Sequence, residues 1–292
     1  MRIDGRELLE FLTQLYLRAR DDDVSGGAAE LAFRFFLALF PFVIFLAALG
    51  GFLADSVGVG NPTEEIMDQL GRSLPEDAAS VLRKQLDTVI SSRDAGLLSI
   101  GIAGAILAAS GGVGTMMKMM NRAWEVRETR PYWRRVALAV ALTVLGGALL
   151  VAAFLIFVAG QVYGLRIAEE LGMGGVAATL FALARWPVVT VLAVTGTAVL
   201  FWAAPDARLP FRWLTPGAVL FTVGWLVLTF LFGLYVASLG SFNETYGALA
   251  SVVVLLLWFY ITGLIFFLGP ELNALLARRA EAEAREEPAA DP

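Results

Sequence analysis

The feature that most constrains this chain is where its charges are missing. Six windows of roughly 20 residues hold almost no charged side chain, and that is about the length that crosses a bilayer core as a helix. They run over Phe35–Ala54, Leu97–Met116, Val136–Val158, Trp186–Ala203, Ala218–Ser238 and Ala248–Leu268. In lipid, backbone polar groups must be satisfied within the protein, so windows of this length predict helices. The expected fold class is all-α, an integral membrane six-helix bundle. The composition agrees, with 58% hydrophobic and 17% charged residues where a soluble domain carries about a quarter charged.

The flanks set an expected orientation. Arg2, Arg6, Arg18 and Arg20 precede the first window, Arg122, Arg127, Arg130, Arg134 and Arg135 follow the second, and Arg278, Arg279 and Arg285 follow the sixth. Residues 55–95 carry four basic residues against eight acids, and residues 241–247 carry no basic residue. Arginine-rich short loops stay in the cytoplasm. Both termini are therefore expected there.

Three segments complete the expected organisation. Residues 1–27 form an amphipathic segment, with Leu8, Phe11, Leu12, Leu15 and Tyr16 at helical spacing. Asp21, Asp22 and Asp23 end its helical run without the alternating spacing of a calcium loop and read as a helix cap or a solvated turn. Residues 28–278 form the membrane domain. Within it, 55–95 is an extracytoplasmic hairpin whose two helices start near Asn61-Pro62 and Leu74-Pro75. Residues 279–292 read as a disordered tail.

Several chemistries lack their residue types. There are no cysteines and no histidines, which removes thiol catalysis, Ser-His-Asp triads and most zinc or haem sites. No cofactor and no metal site is expected, and "GGVGTMMK" lacks the ending of a phosphate loop. The net charge of −5 gives no basic face for nucleic acid. No ionisable residue falls near the middle of any window, which disfavours proton coupling.

The charges that remain lie at window ends. Glu30 and Arg34 are four residues apart, acid first, the favourable order for an ion pair on one helix face. Lys118, Arg185 and Glu271 read by default as interfacial anchors. The stripe that includes Gly111 and Gly112 reads as a close helix contact, or as a segment that unwinds easily.

Three stretches, "AAELAFRFFLALFPFVIFLAALGG", "MMNRAWEVRETRPYWRR" and "SFNETYGALASVVVLLLWFYITGLIFFLGPELNALL", resemble the YihY/BrkB family of bacterial inner-membrane proteins. Between them, "FWAAPDARLPFRWLTPGAVL" is similar to the family's Pro-then-Pro-Gly segment. The motif positions are Pro41, Gly111, Gly112, Pro216, Gly217, Tyr246, Gly247, Trp258, Gly269 and Pro270. The resemblance covers roughly residues 10–278. Arg34 and Pro270 depart from it, the first replacing an aromatic residue and the second a small one. Proline suits a helix's first turn and not its interior, so a sharper break is expected before Glu271.

The resemblance implies a six-span inner-membrane protein tied to envelope integrity, in a family once labelled ribonuclease BN. The residues offer no apparatus for RNA cleavage, so no enzymatic activity is expected. One reading is movement of a lipid or amphipathic envelope component, with membrane lipids as partners. The alternative is a scaffold that holds an envelope protein through residues 61–92. Under the first reading Glu30, Arg34, Asn121, Arg122, Glu271 and Asn273 converge as one headgroup-binding cluster at the cytoplasmic boundary. The sequence leaves the oligomeric state open.

Overall fold

A computed structural model of the chain describes residues 5–57, 67, 83, 95–170, 174–238 and 243–286. All the regular structure in them is helical. The elements are α1 (Gly5–Asp21), α2 (Val24–Val57), α3 (Ala95–Ala123), α4 (Tyr132–Glu170), α5 (Gly174–Ala203), α6 (Pro216–Ser238) and α7 (Asn243–Glu286). Among the described residues, α2, α3, α4, α6 and α7 contain stretches long and apolar enough to cross a membrane. The apolar stretch of α5, Pro187–Ala203, is shorter. The outer hairpin expected at 61–92 lies outside the described residues apart from Met67 and Arg83.

The helices exceed the apolar windows because their polar flanks are helical too. α2 begins at Val24, where Asp23 ends α1 with φ 53° and its carboxylate accepts from the Gly26 amide at 3.1 Å. The Asp run therefore caps a helix. α7 continues to Glu286 over "ARRAEAEARE", a stretch rich in strong helix formers, and so enters the segment read as a tail.

The expected break before Glu271 is absent. Pro270 lies inside α7, which runs unbroken past it. Its missing amide forgoes one bond to the preceding turn. Packing offsets that loss, because Phe266, Phe267 and Glu271 around it are all buried. The Gly111–Gly114 segment is likewise continuous helix within α3.

α2 packs on α3 and α7, α4 on α5, α6 on α7, and α1 against α2 and α7. Buried side chains gather where α2 starts, α3 ends, α4 starts, α5 ends and α6 starts. This core joins Leu31, Met117, Met120, Leu142, Phe201 and Phe267 among others. Glycine permits two of the closest crossings. A Cβ at Gly217 would overlap the Gly269 carbonyl, and one at Gly263 would lie 3.2 Å from Ala28 Cα.

Candidate functional site

The polar groups of this end divide among four sites, each fixed by different elements. The first is a notch between α2 and α3. Glu30 and Arg34 share one face of α2 and pair at 3.0 Å. From α3, Thr115 donates to Glu30 Oε1 at 2.8 Å and Lys118 Nζ donates to Oε2 at 2.8 Å. A Cβ at Gly111 would lie 2.7 Å from Arg34 Nη1, so this glycine provides the space in which the guanidinium rests. Arg34 and Lys118 remain 44% and 49% exposed. Around them Phe33, Leu37, Phe40 and Leu107 are exposed apolar surface. One carboxylate thus organises two accessible cations on an apolar face.

The second site fastens α1. Glu271 is 1% exposed and accepts from Arg18 Nε at 3.4 Å, with Asp22 beside it. Arg18 also donates to the Ala123 carbonyl at 2.8 Å and pairs with Glu125 at 3.4 Å. Arg278 pairs with Glu125 from α7. The Arg278 guanidinium holds the Glu125 carboxyl below the usual carboxylate range. Arg122 donates to the Asp22 carbonyl at 3.2 Å, and Arg279 reaches Gln14 at 2.7 Å.

The third site ties the α3–α4 loop to the turn after α5. Asn121 donates to Glu128 at 2.9 Å and accepts from the Asp206 amide at 2.7 Å. Asp206 in turn accepts from the Thr129 amide at 2.7 Å and the Thr129 hydroxyl at 2.6 Å. Those two donors hold its carboxyl below the ordinary aspartate value. Arg130 pairs with Glu128 at 2.8 Å and donates to the Ala204 carbonyl at 2.8 Å. The fourth site is a cap. Asn273 accepts from the Gly217 amide at 2.8 Å and donates to Thr215 at 3.0 Å, which fixes the start of α6 against α7.

The six residues expected to form one cluster are therefore distributed. Glu30 and Arg34 stay together in the notch. Glu271 and Arg122 both reach Asp22 at the α1–α2 junction, Glu271 at its side chain and Arg122 at its carbonyl. Asn121 belongs to the loop tie and Asn273 to the cap. Sequence reasoning missed Arg18, Thr115 and Lys118 as partners. Thr115 and Lys118 are three apart on one face of α3, a pattern visible in the sequence, but nothing local shows that Glu30 faces it.

Of the motif positions, Gly112 faces the Phe35 ring, and the Trp258 ring lies tilted at 59° to that of Phe259 with centroids 5.4 Å apart. Pro41 lies inside α2, Pro216 opens α6, and Tyr246 and Gly247 fall in the first turns of α7. Among the described residues, no group of three or more acidic side chains is placed to hold a metal ion.

Long apolar helices, with the polar ties described above at one end, define a helical integral membrane protein. A family model described as virulence factor BrkB matches residues 15–292, and the chain belongs to that family. It is 31% identical over 271 residues to the ribonuclease-like protein YfkH of Bacillus subtilis (strain 168), covering 93% of this chain and 96% of that protein. It is 27% identical to a UPF0761 membrane protein of Alkalilimnicola ehrlichii, covering 96% of this chain and 61% of that longer protein. A 27% identity to the UPF0761 membrane protein PA0951 of Pseudomonas aeruginosa covers 92% and 62% respectively. No solved structure matches the chain.

Proposed function

We propose that this protein supports the bacterial envelope by moving an anionic lipid or similar amphipathic component across the inner membrane. In this reading α5 completes six spans, and the arginine-rich end, with both termini, is cytoplasmic. The observation that carries it is the α2–α3 notch. A self-contained ion pair would need only Glu30 and Arg34. Lys118 makes the group net cationic, and both cations stay accessible on a face otherwise made of Phe33, Leu37 and Leu107. An arginine fork beside an ammonium suits a phosphate headgroup, while apolar neighbours suit acyl chains. The protein is read as a carrier and not as a hydrolase.

The test uses the purified full chain in phosphatidylcholine vesicles containing fluorescent phosphatidylglycerol. Movement between leaflets is expected above the protein-free rate. Exchanging the pair, Glu30→Arg with Arg34→Glu, removes the seat on Gly111 and places like charges near Lys118. It is expected to slow movement by about tenfold or more, the worth of one charge-assisted hydrogen bond. Movement no faster than in protein-free vesicles, or an unchanged rate in the exchanged variant, would overturn the reading. So would tRNA cleavage that purifies with the chain and is lost in Glu271→Ala.

A further inference from the structure

A different surface at the same end carries chemistry that the notch does not use. Tyr132 and Trp133 open α4 and are exposed. The Arg134 guanidinium lies over the Trp133 ring, 5.0 Å from its centroid, and Arg135 lies over Tyr132 at 5.4 Å. Across the loop tie, Trp202 donates its indole N–H to the Leu209 carbonyl at 3.1 Å and meets the Phe211 ring edge-on. Phe211, Trp213 and Leu214 are exposed there. The Thr129–Asp206 and Arg130–Ala204 bonds tie the segment just before Tyr132 to the turn between Trp202 and Phe211, and the surface on both sides of that tie is called the rim.

Arg130 is neutralised in that tie by Glu128 and Asp206. Arg127, Arg134, Arg135, Arg208 and Arg212 are exposed, and none of them pairs with an acid among the described residues. Stacking holds a guanidinium by its face and leaves its edge donors free, and that edge is what a phosphodiester accepts. Just beyond the rim, α4 continues with exposed Val136 and Val144 and α6 with exposed Val219 and Val223. The arginines thus stand at the aqueous border of an apolar surface, the depth at which Trp and Tyr mark lipid headgroups.

We infer that this rim is a binding site for acidic phospholipid, its phosphodiester held by the stacked arginines and its chains laid along α4 and α6. The inference is independent of the transport reading, because it concerns a different surface and asks only for binding. A single-stranded RNA would also meet arginines and stacked rings. The apolar surface directly beneath the rings favours the lipid, since a polyanion without acyl chains leaves that surface uncovered.

The full chain, embedded in phosphatidylcholine nanodiscs, is titrated with phosphatidylglycerol, and bound lipid is counted by native mass spectrometry. Preference for phosphatidylglycerol over added phosphatidylcholine is expected, and it should weaken with salt. Each Arg→Gln change among Arg134, Arg135, Arg208 and Arg212 is expected to weaken it about fivefold. R134K with R135K keeps the charge but not the fork, and is expected to retain part of the preference. The inference is overturned by equal retention of both lipids, by Gln variants that match the parent, or by a 20-nucleotide RNA that displaces phosphatidylglycerol. All four changes together are expected to abolish the preference; should that variant fail to insert, the pairs R134Q/R135Q and R208Q/R212Q decide, each expected to lose part of it.

Discussion

Glu125 closes α3 in a conformation that glycine usually supplies. Its φ is 52°, the Val126 amide bonds back to the Asn121 carbonyl at 2.9 Å, and its own amide bonds to Arg122 at 2.8 Å. That is a Schellman ending with a side chain where a Cβ costs roughly 1 kcal/mol. The side chain does something a glycine would not, because it joins Arg18 of α1 to Arg278 of α7. Glu125→Gly is therefore expected to keep or strengthen the helix end while loosening α1. Amide exchange should accelerate in α1 and not at Val126. Unchanged α1 exchange would show that the bridge holds nothing. Acid should act on Asp206 in the same spirit. Its folded carboxyl lies below the unfolded value because Thr129 donates to it twice. The stabilisation is complete above the ordinary aspartate value of about 4 and is lost as pH falls below it, through the lowered folded value. Protection of the Thr129 amide should fall over that range, and a pH-independent amide in the parent would contradict the assignment.

The glycines separate cleanly at the scale of helix pairs. A Cβ at Gly217 would collide with the Gly269 backbone, whereas one at Gly114 would meet nothing within 4 Å. Gly217→Ala should force α6 from α7, at a cost of about 1–3 kcal/mol or more for overpacking. Gly114→Ala should be harmless or stabilising by up to about 1 kcal/mol through helix propensity. Thermal stability in detergent checks both, and equal behaviour would remove the crossing from the account. The small-residue stripe of α3 was legible in the sequence, but its division of labour was not. Gly111 faces Arg34 and Gly112 faces Phe35, while Gly114 faces open space. Which neighbour a glycine meets depends on the register between helices, and no local pattern encodes that register. For the same reason the Glu30–Arg34 pair could be read from its spacing, while Thr115 and Lys118 could not be joined to it.

For the whole molecule, the apolar windows announced the helices and underestimated their lengths, because hydropathy marks lipid contact and stops where polar but strongly helical flanks begin. α7 ends at Glu286 for that reason, whereas α2 starts at Val24, ahead of its window, because Asp23 caps it there. The single charged cluster expected at the boundary failed to appear as one site because each polar group found a nearer partner, Asn273 at a helix start and Asn121 in a loop tie. Reporter fusions after Asp94 should read as external and those after Arg130 and Arg279 as internal, and an internal reading at Asp94 would invert the proposed arrangement. α7 has 44 residues, about 66 Å of helix at the usual rise, roughly twice the thickness of a hydrocarbon core. It touches α2 at Gly263, α6 at Gly269 and α1 through Glu271 and Arg279. A rod gripped at these points is the molecule's spine, so displacing it would disturb α1, α2 and α6 together.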